Sequence, residues 1–135
     1  MSKYNTNLAS EFWVLATLYR LGVEAQLTLG NKKGVDIVIP RGAKKMITVE
    51  VKGLNKQYDW PADNIEVFND PTHFYVFLCF DGKISNLLTN PSVWIIPSKK
   101  LEPFSRKYRT RTNVSRALII KNGDTYKNAW ELLKE

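Results

Sequence analysis

A chain of 135 residues with 44% hydrophobic content is long enough for one core and too apolar to remain disordered. One cysteine and one histidine exclude an intramolecular disulfide, a thiolate zinc site and a histidine-rich metal centre. A net charge of +7 favours a polyanionic partner, because lysine and arginine gain affinity by displacing counterions from phosphates.

The expectation is a single domain over 1–135. Met1-Ser2-Lys3-Tyr4-Asn5-Thr6-Asn7 lacks the apolar run of a signal peptide, and no stretch is long enough to cross a bilayer. A cytoplasmic protein without a membrane partner is therefore expected.

Residues 8–21 read as a helix, with Asn5, Thr6 or Asn7 as its cap and Gly22 as its terminator. It is apolar over much of its circumference (Phe12, Trp13, Val14, Leu15, Leu18, Tyr19, Leu21), which predicts deep burial. Glu11 shares a stripe with Leu15 and Leu18. Two readings stand for it: a carboxylate kept on an apolar stripe for function, or an anion in the first helical turn facing the macrodipole. Residues 23–29 alternate Val23, Ala25, Leu27 and Leu29, as a strand does. Gly30-Asn31-Lys32-Lys33-Gly34 is a loop that brings Lys32 and Lys33 close to Asp36.

The next two segments carry the chemistry. Gly34-Val35-Asp36-Ile37-Val38-Ile39 and Met46-Ile47-Thr48-Val49-Glu50-Val51-Lys52 both alternate with period two, and 41–45 is a plausible five-residue turn. A symmetric hairpin pairs 40 with 46, 38 with 48 and 36 with 50. Ile37, Ile39, Ile47, Val49 and Val51 then form the buried face, and Asp36, Glu50 and Lys52 share the exposed one. Like charges opposed at roughly 5 Å between Cβ atoms are destabilising, so a cation is expected between them. Mg²⁺ suits two carboxylates, waters and phosphate oxygens, with Mn²⁺ able to substitute and the Val51 carbonyl as a further oxygen ligand. The plain alternative is a solvated polar face of an ordinary hairpin.

Beyond the hairpin, 53–72 shows no clear period. Lys56 and Gln57 are read there as nucleic-acid contacts, and Trp60 as cover for the sheet. His73 marks a strand start, and 74–80 is a central strand ended by Asp81-Gly82, with Cys79 as a small core residue. Residues 93–97 form another strand. Arg106, Lys107, Arg109 and Arg111 surround Tyr108, a pattern that either grips a nucleic-acid backbone or simply forms a solvated face. A short strand over 117–121 and a C-terminal helix over 126–133 complete the expectation.

An early helical glutamate, a strand, Gly34-Val35-Asp36-Ile37-Val38 and then Val49-Glu50-Val51-Lys52 resemble the PD-(D/E)XK nuclease superfamily, with Val35 where proline is usual. Restriction endonucleases and Holliday-junction resolvases belong to that superfamily. The resemblance implies an α/β, restriction-endonuclease-like fold: a mixed β-sheet flanked by helices, with an N-terminal helix followed by a three-strand meander carrying the acidic site. It implies Asp36 and Glu50 as metal ligands, Lys52 as the catalytic lysine and Glu11 as an assisting helix carboxylate. The function expected is metal-dependent hydrolysis of phosphodiesters, with DNA the preferred substrate. A homodimer would serve double-strand cutting. The alternative is a nucleic-acid-binding module that keeps the nuclease fold and does no chemistry.

Overall fold

In the computed structural model, which describes residues 2–29, 34–63 and 70–134, the chain opens with helix α1 (Lys3–Arg20). The helix starts five residues ahead of the expected boundary because Ser2, not Asn5, Thr6 or Asn7, is the cap. The Ser2 hydroxyl oxygen accepts the Asn5 N–H at 3.1 Å. At the other end Gly22 takes φ +79°, and the Val23 and Gly22 N–H groups donate to the Leu18 and Tyr19 carbonyls. This reciprocal closure is the Schellman motif that a glycine at this place permits.

One stripe of α1, Thr6, Ser10, Val14 and Leu18, is buried. The deep burial expected from its largely apolar circumference is not found: Tyr4, Phe12 and Tyr19 are all more than half exposed. The helix lies on the sheet along a single line, and small side chains let its N-terminal half come close. A Cβ on Gly53 would sit 1.8 Å from the Ser10 hydroxyl oxygen, so glycine is required where the helix crosses the strand.

Strand β1 (Gln26–Leu27) is shorter than the 23–29 expected, since Leu29 turns to φ +52°. Strands β2 (Ile37–Arg41) and β3 (Lys45–Leu54) form the predicted hairpin, with Pro40 opposite Met46 and Val38 opposite Thr48. Arg41 pairs with Lys45, so the loop is Gly42-Ala43-Lys44, with Gly42 at φ +64°. After the short β4 (Trp60–Pro61), strand β5 (His73–Cys79) runs parallel to β3, and β6 (Ser92–Pro97) runs antiparallel to β5. The result is a mixed five-stranded sheet in the order β1-β2-β3-β5-β6.

Strands β7 (Ser105–Tyr108) and β8 (Arg111–Val114) form a second hairpin, and β4 joins it as a three-stranded sheet, β4-β8-β7. Residues 117–121 are not a strand. They belong to helix α2 (Arg116–Asn122), capped by the Ser115 hydroxyl oxygen, which accepts the Leu118 N–H. Short apolar runs carry no periodicity that separates helix from strand, and here the cap decided. Instead of the helix expected over 126–133 there are two 3₁₀ turns, Asp124–Tyr126 and Trp130–Leu133, with Asn128 at φ +52° between them.

Both faces of the main sheet are covered. Val14 and Leu18 of α1 pack with Ile37, Ile39, Val49, Val76, Leu78 and Ile95 on one side. On the other, Trp60, Val114, Phe104 and Ile119 pack against Tyr75, Phe77, Trp94 and Ile96. Each such fully buried side chain contributes roughly 1.5–3 kcal/mol. Trp60 is wholly buried and its indole N–H donates to the Leu78 carbonyl at 3.1 Å, so it covers the sheet as expected. Among the described residues no helix is long and apolar enough to cross a membrane.

Candidate functional site

Asp36 sits where the β2–β3 ladder ends. Regular pairing stops at Ile37 opposite Val49, one step short of the expected pair of Asp36 with Glu50. The Asp36 N–H instead donates to the Val49 carbonyl at 2.8 Å, and its carboxylate accepts the Val51 N–H at 2.7 Å. The side chain thus fills the place of the next backbone partner. Both contacts show that odd-numbered residues of β3 turn their peptide groups toward β2. Within a strand the N–H and C=O of one residue face the same neighbour, so the Val51 carbonyl also faces Asp36.

Glu50 and Lys52 lie on the opposite face of β3 from Val49 and Val51, as period two requires. That face is not the exposed surface expected: Glu50 is only 8% exposed, and Trp60 and Pro61 of the second sheet line the same groove. The Lys52 ammonium meets the Glu50 carboxylate at 3.0 Å. Burial raises the Glu50 pKa, and the charge of Asp36 adds to the rise, while the charge and hydrogen bond of Lys52 oppose it. Burial raises the Asp36 pKa as well, against the Val51 N–H and the charge of Lys52.

Glu11 belongs to the same place. It falls in the third turn of α1, not the first, so the macrodipole reading no longer accounts for it. Partial burial, then the charge of Asp36, push its carboxyl up to about 7. Glu11, Asp36, Glu50, Val51 and Lys52 all line one open groove of about 660 Å³, with Lys56 and Tyr58 in its wall. Lys3 and Asn7 also line it. Both were missed in the sequence, although Lys3, Asn7 and Glu11 recur at i, i+4 and i+8 beside the small, buried Thr6 and Ser10.

The remaining expected contacts are dispersed. Gln57 turns away from the groove, and its amide donates to the Asp81 carboxylate at 3.3 Å. Arg106, Lys107, Arg109 and Arg111 stand exposed on the β7–β8 hairpin and do not line the groove. That hairpin nevertheless meets its rim: Pro61 and Asp63 line the groove, Pro61 pairs with Asn113, and the Asp63 carboxylate accepts the Thr112 N–H at 2.7 Å. Lys32 and Lys33 lie outside the described residues.

The donor set suits a hard cation sparing in protein ligands. Among the described residues no three His, Cys, Asp or Glu side chains gather closely enough to hold a metal by themselves. Two carboxylates that burial holds above their ordinary pKa, with a backbone carbonyl beside them, match an ion that completes its shell with water and phosphate.

Comparison with known proteins yields no match: no family model fits the chain, and no curated protein or solved structure is significantly similar to it.

Proposed function

We propose that this protein is a metal-dependent nuclease of the PD-(D/E)XK type, with a restriction-endonuclease-like fold, that hydrolyses phosphodiester bonds, preferably in DNA. The convergence of Glu11, Asp36, Glu50 and Lys52 on one groove carries the reading. Three carboxylates and an ammonium that line one groove from a helix, a strand end and a strand centre are costly to desolvate without a charged ligand.

Asp36, Glu50 and the Val51 carbonyl would hold Mg²⁺ or Mn²⁺, which stabilises charge on a phosphoryl oxygen and acidifies water. Lys52, held by Glu50, would neutralise charge that builds on the phosphate as water attacks phosphorus. Glu11, whose carboxyl changes protonation near neutrality, would accept a hydrogen bond or the proton from that water. One P–O ester bond breaks, leaving a phosphate monoester on one fragment and a hydroxyl on the other. Cutting both strands of a duplex would take two such grooves, which is the reason to expect a homodimer.

One observation favours the inactive binding module as a second reading. Glu50 is already paired with Lys52 and Asp36 with the Val51 N–H, so the acids are partly satisfied within the chain. Plasmid and oligonucleotide cleavage with and without Mg²⁺ or Mn²⁺ separates the two readings. The nuclease reading expects metal-dependent cutting that Asp36→Asn and Lys52→Ala each reduce by roughly 10²-fold or more with the circular-dichroism spectrum unchanged. Cutting that survives both substitutions would remove the mechanism, and salt-sensitive binding without any cleavage would install the module.

A further inference from the structure

The β7–β8 hairpin has two distinct faces. Ser105 pairs with Val114, which pairs with Trp60, and that row points inward, since Trp60 and Val114 are fully buried. Arg106 pairs with Asn113, which pairs with Pro61, and Tyr108 pairs with Arg111. Opposed residues share a face and alternate residues along a strand return to it, so Arg106, Tyr108, Arg111, Asn113 and Pro61 form the outer face. At its end closest to β4 that face meets the groove through Pro61.

The composition of this face is unlike that of a solvated edge. Residues 105–114 carry Arg106, Lys107, Arg109 and Arg111 and no acidic residue. Among the described residues none of these four cations forms an ion pair with a carboxylate. Tyr108 is 47% exposed and joins neither hydrophobic cluster, with Arg111 opposite it and Arg106 two residues along its own strand. A second tyrosine, Tyr58, is 64% exposed in the groove wall. Tyr108 lies two strands across and roughly 7 Å along the ribbon from Pro61, a span of a few nucleotides at most.

We propose that the outer face of the β7–β8 hairpin holds an unpaired stretch of nucleic acid, with a base stacked on Tyr108, flanking phosphates on Arg106 and Arg111, and the strand leading past Pro61 and Tyr58 into the groove. An exposed ring with arginines at neighbouring positions of the same face offers a stacking surface, and only bases outside a duplex have a free face to stack on it. A β-ribbon can also enter the major groove of a duplex, but it then reads base edges with hydrogen-bonding side chains, and a phenol ring on its outward face serves stacking better. The substrate class that follows is nucleic acid with a single-stranded or branched segment next to the cut. This rests on the nuclease reading of the groove for the position of the cut, while the stacking itself does not.

The test is binding in EDTA, where no cleavage intrudes. The probes are a short oligothymidylate and an oligouridylate, each with a central 2-aminopurine, and a blunt duplex of the same length. The single strands are expected to bind at least roughly tenfold more tightly than the duplex, with 2-aminopurine fluorescence quenched on binding. Tyr108→Ala is expected to weaken single-strand binding roughly 5- to 100-fold and abolish the quench, while Tyr108→Phe stays within about twofold of the parent. Arg111→Ala is expected to weaken binding and reduce its salt slope by roughly 0.7. Duplex binding equal to or tighter than single-strand binding, or affinity and quench untouched by Tyr108→Ala, overturns the proposal. Parallel cleavage assays in Mg²⁺ keep the two readings apart. Tyr108-dependent stacking without cleavage would sink the nuclease and leave the platform, and cleavage without stacking would do the reverse.

Discussion

Replacing Glu11 with glutamine should stabilise the metal-free protein at neutral pH and not in acid. Glu11 is a partly buried carboxyl facing Asp36, and its pKa rises from 4.5 to about 7 on folding. Between those values the folded state keeps a proton that the unfolded state has released. The contribution of Glu11 to stability therefore falls as pH rises from 4.5 through about 7 and is flat outside that window. The displacement of about 2.5 pH units (7 minus 4.5) sets a ceiling of roughly 3.4 kcal/mol. Solvent reaches the groove, and screening lowers the net effect to about 1–2 kcal/mol. Glutamine keeps the shape and never ionises, so Glu11→Gln should match the parent near pH 4 and exceed it by that amount at pH 8. Urea and thermal unfolding across this range in EDTA would show the gap as a Tm rise of roughly 3–8 °C at the alkaline end. A gap that does not change with pH, or a glutamine variant less stable than the parent at pH 8, would refute the account of Glu11 as a carboxylate held at a cost.

Asp36 and Glu50 predict the response to metal. Mg²⁺ at about ten times its dissociation constant should stabilise the parent by about 1.4 kcal/mol and leave Asp36→Asn and Glu50→Gln unmoved, which a thermal-shift titration would show. Gly53→Ala should destabilise by roughly 1–3 kcal/mol, because its Cβ meets Ser10 Oγ at 1.8 Å and Ser10 Cβ at 2.5 Å. Ser10→Ala, which keeps the Cβ, should not rescue it, and recovery of the parent unfolding midpoint in that double variant would contradict the crossing described. Ser115→Ala should cost about 1 kcal/mol by removing the cap of α2, seen as a lower urea midpoint with an unchanged m-value.

Local patterns made the hairpin legible and left its surroundings blank. Alternation of Ile37, Ile39, Ile47, Val49 and Val51 with Val38, Thr48, Glu50 and Lys52 allows one register, since a slip by one residue would turn every apolar side chain outward. That pattern predicted the pairing of Val38 with Thr48 and the shared face of Glu50 and Lys52. It also predicted a regular pair of Asp36 with Glu50, which the structure replaces with the Asp36 carboxylate on the Val51 N–H. The helix and the central strand 73–79 were legible for the same reason, a run of apolar residues bounded by Gly22 at one place and Asp81-Gly82 at the other.

What tertiary structure decided is the environment of those elements. The second sheet joins Trp60 to Val114, partners more than fifty positions apart, and two-residue strands leave no periodic trace in a sequence. That pairing brings Trp60, Pro61 and Asp63 to the polar side of β3, where they share with Glu50 and Lys52 a groove in place of the expected open surface. Only the crossing of Ser10 over Gly53 sets Glu11 in that groove instead of in a solvated first turn. The sequence by itself determined which side chains alternate with which, because that depends on neighbours along one strand. Whether a charge is buried depends on what arrives from elsewhere in the chain, and that is a property of the packed molecule alone.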